Sequence, residues 1–406
     1  MSGKLIGLVG IVAILAIAVL ISSNRKAINL RVVGAAFLLQ VIVAALTLSL
    51  PAGQKAIDWL SSGVLNVIGY SQDGIDMVFG SLADVDNIGF SFAVNVLPII
   101  IFFSALMSVL YHIGIMQAVV KFFGRGLRAI IGTGTIESLN AAANMFVGQT
   151  EAPLVVKPYL RGLTEAQMFA VMTSGLASVS GTVLAAYVLM GAQLEYLLAA
   201  SFMAAPGGLL MAKIIMPDPP ETAASKEALV MDSSKHENVI LAAAIGAGDG
   251  LRLAVNIGAM LVAFVALIAL LNGFLGMVSG WFGATLTLEM LLGWLFSPLM
   301  FLLGVPWAEA QAAGALFGEK LILNEFVAFS NLNEYLAGMS ERTRAIATFS
   351  LCGFANLSSI AILLGGLGVL VPEKRELIAR FGIKAVAAGS LSNLMSAALA
   401  GLLLTF

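Results

Sequence analysis

Apolar residues run along this chain in stretches of about twenty, the length one helix needs to cross the hydrocarbon core of a bilayer. Such stretches cover residues 4–23, 31–50, 89–111, 166–190, 194–216, 251–275, 344–366 and 383–405, which predicts eight spanning helices. A further stretch, 281–303, is apolar enough to be a ninth span or to lie along the interface. Between the second and third spans, residues 52–86 set Trp59, Leu60, Val64 and Ile68 among polar positions at near-helical spacing, the pattern of an amphipathic interfacial helix. Residues 217–237, rich in proline, serine and charge, read as a soluble linker.

Two apolar regions carry polar interruptions. In "FVGQTEAPLVV", Phe146 to Val156, the runs on either side of Gly148 and Pro153 are too short to cross. A carboxylate such as Glu151 facing hydrocarbon would cost roughly 2.5–3.5 kcal/mol. The stretch therefore reads as a re-entrant hairpin with its tip at membrane depth, where non-helical backbone survives only inside protein or along a wet cavity. The same logic covers "ALFGEKLILNEFVAFS", 315–330, interrupted by Asn324 and Glu325. Each hairpin is followed by a span with a small-polar patch: "SGLASVSGTVL" from Ser174 and "CGFANLSSIAI" from Cys352. Laid together without gaps, Gly175 meets Gly353, Ala177 meets Ala355, Ser178 meets Asn356 and Ser180 meets Ser358. Hairpin plus polar helix thus occurs twice.

Composition settles the class. Of 406 residues, 60% are hydrophobic and only 11% charged, against about 25% charged in soluble domains. The chain is an all-α polytopic membrane protein. Only Lys4 precedes the first span while Arg25, Lys26 and Arg31 follow it, so it is a retained helix with its N-terminus outside rather than a signal peptide. On this topology sixteen of the 21 Lys and Arg residues fall inside and four outside, with Lys320 left over in the second hairpin. The first hairpin then starts inside and the second outside, so the two units are inverted. Paired, inverted, discontinuous elements point to the midplane site of a secondary transporter.

Other functions lose ground on the same residues. No basic run or face suits nucleic acid. The single Cys352 excludes a disulfide framework, and His112 and His236 stand too far apart for a metal pair. No nucleophile has a base at hand, which argues against an enzyme. A channel needs polar residues along a whole path, whereas these cluster at one depth. Glu151 and Glu325 lead the candidate site, with Gln149, Thr150 and Asn324 adding donors and acceptors for a neutral polar solute. Ser178, Ser180, Thr182, Asn356, Ser358 and Ser359 serve either the site or helix packing. "LLGGLG", 363–368, lacks the lysine of a phosphate loop and reads as a packing contact or a helix end.

"NMFVGQTEAPLVV", "NEFVA" and "CGFANLSSIAILLGGLG" resemble the signatures of the concentrative nucleoside transporter family, in the expected order, and the resemblance runs from the first span to the last. It implies the bacterial eight-helix form, in the inner membrane with both termini periplasmic, importing nucleosides as a homotrimer whose protomers each carry a transport path. It implies scaffold and interfacial helices over 1–135, the first hairpin with transport helices over 136–216, and a cytoplasmic linker over 217–237. A scaffold or oligomerisation helix with an interfacial helix follows over 238–307, then the second hairpin with its transport helices over 308–406. By the family pattern Gln149, Thr150 and Glu151 contact the base, with Val183 on the same side. Glu325, Asn356 and Ser359 hold the ribose hydroxyls, and Phe354 borders the site. Sodium falls to Asn144, Val147, Ser178 and Val179, the two valines through backbone oxygens. The intact "GQTEAP" favours sodium as the coupling ion. A proton-coupled form, or a cation-coupled carrier of another polar solute on a hairpin-containing fold, is the alternative. No organic cofactor is implied.

Overall fold

The computed structural model describes residues 3–219, 237–283 and 285–404, and all regular structure among them is helical. A chain in lipid must satisfy its backbone polar groups within each segment, and helices do so. Most of the linker 217–237, with His236, lies outside the described residues.

Helices α1 (Gly3–Leu20) and α2 (Leu30–Leu48) cover the first two expected spans. Asn29 caps α2 by accepting from the amides of Arg31 and Val32. The expected amphipathic helix is α3 (Pro51–Phe79), begun by a proline at a position where no helical N–H is needed. Its packed face runs through Ile57, Ser61, Ser71 and Ile75, with Val64 and Ile68 half-buried between them. Trp59 is off that face and exposed, because two residues turn a helix by more than half a circle. The third span ends in α4 (Leu97–His112). A second amphipathic helix, α5 (Ile115–Ile131), was not anticipated. It buries Met116, Val120, Gly124, Leu127 and Ile131, and exposes Lys121 and Arg125.

The stretch expected to form the first hairpin consists of α6 (Thr135–Ala143), a break, and a 3-10 segment (Ala152–Gly162). The next span is not one rod. It consists of α7 (Glu165–Ala177) and α8 (Gly181–Leu189), parted at residues 178–180. After α9 (Leu194–Ile215) comes α10 (Val239–Gly280), whose 42 residues extend well beyond the expected 251–275. At 1.5 Å per residue it is about 63 Å long, twice the hydrocarbon thickness.

The ninth apolar stretch becomes α11 (Leu288–Leu302), which folds back at 117° onto α12 (Trp307–Ile322). After a break at Leu323–Asn324 the second unit continues as α13 (Glu325–Ser330). The span expected at 344–366 is likewise split, into α14 (Glu341–Leu351) and α15 (Ser359–Gly365), with residues 352–358 non-helical. The last helix is α16 (Arg375–Leu403).

Length and apolarity qualify six of the expected spans among the described residues, and these six divide sharply by burial. The α7–α8 pair and α9 are each 94% buried and the α16 region 83%, against 17% for α2, 22% for the α4 region and 11% for α10. The buried set is rich in Ala, Gly and Ser, which let helix backbones approach closely. The exposed set carries its large apolar side chains outward. The polar breaks therefore lie in a central bundle, walled off by α2, α4 and α10.

Candidate functional site

Three of the four helix breaks share one local cause. Short polar side chains there cap the half-helix that follows, which competes with continuing the previous one. Ser180 accepts from the amide of Thr182, Asn324 from that of Val327, and Asn356 from that of Ser359 at 2.8 Å. The breaks then meet. Gly181 N donates to Phe146 O in the first hairpin at 3.0 Å, and Leu357 N donates to Leu321 O in the second, also at 3.0 Å. Phe354 N donates to Ser178 O at 3.1 Å, which ties the two split spans to each other.

Between them lies a cavity of about 390 Å³, within the range of small-molecule sites. All eight residues expected to touch substrate line it: Gln149, Thr150, Glu151, Val183, Glu325, Phe354, Asn356 and Ser359. Gln149 Nε2 donates to Ser359 Oγ at 3.3 Å, joining the first hairpin to α15. Its Oε1 is buried without a hydrogen-bond partner among the described residues. Thr150 Oγ1 donates to Glu151 Oε1 at 2.9 Å, and the Glu151 side chain is exposed to the cavity. Glu325 is buried, at the first turn of α13, where a carboxylate complements the helix dipole. Its Oε1 accepts from Tyr187 Oη at 3.1 Å and its Oε2 from Asn356 Nδ2 at 2.9 Å. Asn356 Oδ1 also accepts from Ser358 Oγ at 2.7 Å.

The four residues expected to hold sodium come from the first hairpin and the α7–α8 break. Asn144 caps the end of α6, and Val147, Ser178 and Val179 stand in non-helical backbone, their carbonyls outside the helical ladders. Asn144 Nδ2 donates to Asn140 O at 2.9 Å, which leaves Oδ1 buried with no hydrogen-bond partner among the described residues. Ser178 Oγ donates to Gly175 O at 3.2 Å and keeps its lone pairs. The two elements touch where Gly175 has no side chain. A Cβ there would sit 2.9 Å from Gln149 Cβ and 3.7 Å from Asn144 Oδ1. An orphaned amide oxygen, a hydroxyl and the backbone oxygens of Val147 and Val179 form the hard-oxygen donor set that fits an alkali cation, the Ser178 carbonyl being taken by Phe354 N.

Three features of the site escaped the sequence. Tyr187 is fully buried, stacks on Phe329 at 4.4 Å between ring centres, and orients the Glu325 carboxylate. A third wall comes from α10, through Leu253, Asn256, Ile257 and Met260. Asp249, Arg252 and Asn256, spaced by three and four, were the available signal of a polar stripe on an apolar helix. That stripe also lines a larger cavity of about 640 Å³, which shares Thr150, Glu151 and Ser180 with the first and is bordered by Tyr111, Lys157 and Arg252.

Comparison with known proteins accords with this arrangement. Family models described as the Na+ dependent nucleoside transporter C-terminus and N-terminus match residues 196–401 and 9–82, and a gate model described as nucleoside recognition matches 93–194. The nucleoside permease NupC of Helicobacter pylori is 50% identical over 410 residues, covering 98% of this chain and 97% of the permease. The transporter CNTnw in an inward-facing substrate-bound state is 53% identical, with a TM-score of 0.94 over 99% of this chain and 98% of that one. A variant of CNTnw in an outward-facing state matches with a TM-score of 0.95, at 53% identity over 99% and 97% of the two chains.

Proposed function

The chain belongs to the concentrative, Na+-dependent nucleoside transporter family, a family of permeases and not of enzymes, and on that premise we propose that it is a symporter importing nucleosides such as uridine down a sodium gradient. One observation carries the reading: both hairpin breaks and both split spans deliver their polar residues to a single cavity at the centre of the bundle. The chemistry suits a nucleoside. Gln149 offers the acceptor and donor pair that a base edge requires, with Thr150, Glu151 and Val183 on the same side. Glu325, Asn356 and Ser359 accept from and donate to ribose hydroxyls, and Phe354 borders the site.

Coupling follows from shared parts. Asn144, Val147, Ser178 and Val179 hold sodium, and Gln149 lies against the same turn of α7 as Asn144. A cation that draws the first hairpin onto α7 thereby sets the base-binding edge, and each ligand strengthens the other by an equal factor. The two hairpins and split spans, 136–216 and 308–406, move as the transport part against the scaffold formed by 1–135 and 238–307, with 217–237 as a cytoplasmic linker. The larger cavity is the route towards the cytoplasm, since Lys157 and Arg252 fall on the inside of the charge map. CNTnw has both inward- and outward-facing states, as alternating access requires. In this reading the protein spans a bacterial inner membrane eight times, with re-entrant hairpins in inverted orientation, both termini periplasmic, and three copies joined around scaffold helices such as the exposed α10.

Uptake of labelled uridine into proteoliposomes decides among the readings. Uptake under an inward sodium gradient, absent under a proton gradient without sodium, is the expected result. Proton-driven uptake alone would move the coupling to the carboxylates Glu151 and Glu325 and remove sodium from the Asn144–Ser178 site. Failure of uridine to accumulate under either gradient would overturn the nucleoside assignment in favour of another polar solute.

A further inference from the structure

Lys320 is the cation that the charge map leaves over, and it is fully buried in α12, one turn before Glu325. Among the described residues it forms no ion pair. Its Nζ instead sits among neutral oxygens, 2.9 Å from Asn393 Oδ1 and 3.4 Å from Ser350 O, and 5.7 Å from the centre of the Phe317 ring. Burying a lysine headgroup carries a large desolvation cost, which hydrogen bonds to carbonyl and amide oxygens offset only in part. Ser350 and Cys352 mark the carboxyl end of α14, where unpaired carbonyls concentrate partial negative charge.

Asn393 on α16 extends that contact to the other split span. Its Nδ2 donates to Cys352 O at 2.6 Å and to Ala177 O at 2.7 Å. Ala177 ends α7 and directly precedes Ser178 of the sodium set, while Cys352 ends α14. The amide sits so close to the second break that a Cβ at Gly353 would lie 2.2 Å from Asn393 Oδ1. One side chain therefore holds the carboxyl ends of both half-helices, and the lysine fixes which way its amide points.

The two units solve one electrostatic problem differently. Each split span ends a half-helix in mid-bundle, with negative carbonyls at the break. The first unit leaves an acceptor free there, Asn144 Oδ1. In the second, Leu321 O, at the position matching Val147 when Glu151 is laid on Glu325, is taken by Leu357 N. We propose that Lys320 and Asn393 form a built-in joint, in which the lysine headgroup fixes the amide that holds the carboxyl ends of both split spans, and that this joint positions both breaks for coupled binding. Lys320 and Asn393 touch neither ligand and act through the backbone of residues 177–178 and 352–354. The proposal rests on the sodium-symport reading given above.

Uridine affinity measured with and without sodium on purified protein tests the joint, read as the factor by which sodium tightens uridine binding. Lys320→Met keeps the length and apolar body of the side chain and deletes the charge, while Lys320→Arg keeps the charge. The methionine variant is expected to lose the sodium enhancement and at least tenfold in uridine affinity, with the arginine variant closer to the unmodified protein. Methylammonium should restore part of the affinity of Lys320→Ala. Wild-type affinity and enhancement in Lys320→Met would overturn the joint. If that variant is not monodisperse, Asn393→Asp carries the test. It keeps a partner for Lys320 and removes both N–H donors, so an undiminished enhancement overturns the joint equally. Absence of sodium enhancement in unmodified protein would refute the sodium reading alone. The joint is then decided by whether Lys320→Met weakens uridine binding relative to Lys320→Arg.

Discussion

Replacing Glu325 with glutamine separates the ribose role proposed for this carboxylate from its structural one. The side chain keeps its shape, yet both of its oxygens are already used: Oε1 accepts from Tyr187 Oη and Oε2 from Asn356 Nδ2. A glutamine presents one oxygen and one NH2 group, so one of these donors meets another donor unless it turns away. A ribose hydroxyl that bonded a carboxylate now meets a neutral amide. Hydrogen bonds to charged groups contribute roughly 1.5–3 kcal/mol. With tenfold in affinity for each 1.4 kcal/mol or so, uridine binding should weaken roughly ten- to a hundredfold. Calorimetry in saturating sodium measures this, with 2′,3′-dideoxyuridine as the second ligand. In unmodified protein the dideoxy compound should bind far more weakly than uridine, and in Glu325→Gln the gap should shrink by most of the loss. The cycle cancels general damage to the site, since such damage weakens both ligands alike. An unchanged gap between the two ligands would refute the assignment of Glu325 to ribose.

Asn144→Ala removes the buried Oδ1 from the proposed sodium set. The half-saturating sodium concentration for uptake should rise at least tenfold, whereas Asn144→Asp, which keeps an oxygen there, should retain sodium dependence. Tyr187→Phe deletes a donor to Glu325 without altering the cavity wall, and through loss of about 1 kcal/mol should weaken uridine about fivefold by calorimetry. Gly175→Ala places a methyl group 2.9 Å from Gln149 Cβ and 3.2 Å from its Cα, where backbone must move. Sodium-driven uptake should drop at least tenfold with helix content by circular dichroism unchanged, because hairpin and α7 part while both stay folded.

Much of this site was legible because membranes make polar residues expensive. A glutamate, a glutamine and a proline inside apolar runs have few affordable placements, and so "GQTEAP" and "NEFVA" disclosed two polar breaks, which line a common cavity. The repeat of Ser178 and Asn356 supplied the partner helices. The splitting of those helices stayed hidden, since average apolarity over twenty residues does not register a two- or three-residue cap. Ser180 and Asn356 are capping types, but only the neighbouring amides reveal that they cap. Helix α5 escaped because Lys121 and Arg125 make its mean composition resemble a loop, although its buried residues repeat every three to four positions. Tyr187 and Asn393 gave no pattern at all. Their partners stand 138 and 216 positions away, and only the fold brings them together.

Asn393, together with Lys320, explains why breaking helices in a membrane is tolerable. A half-helix that stops at mid-bundle leaves carbonyls with no partner on one side and amides on the other. The amides are met by Ser180, Asn324 and Asn356, side chains close in sequence that also line the cavity. The carbonyls are met from afar, by Asn393 for both split spans and by Lys320 for one. In the symporter proposed above, the division has a functional consequence. Groups that cap amides lie at the starts of the half-helices that line the cavity. Groups that hold carbonyls lie on α12 and α16 behind the breaks, and are fully or almost fully buried. The proposed transport part then has a rigid back and an adjustable front, and on that proposal ligands reset the cavity-lining breaks without unravelling the half-helices that present them.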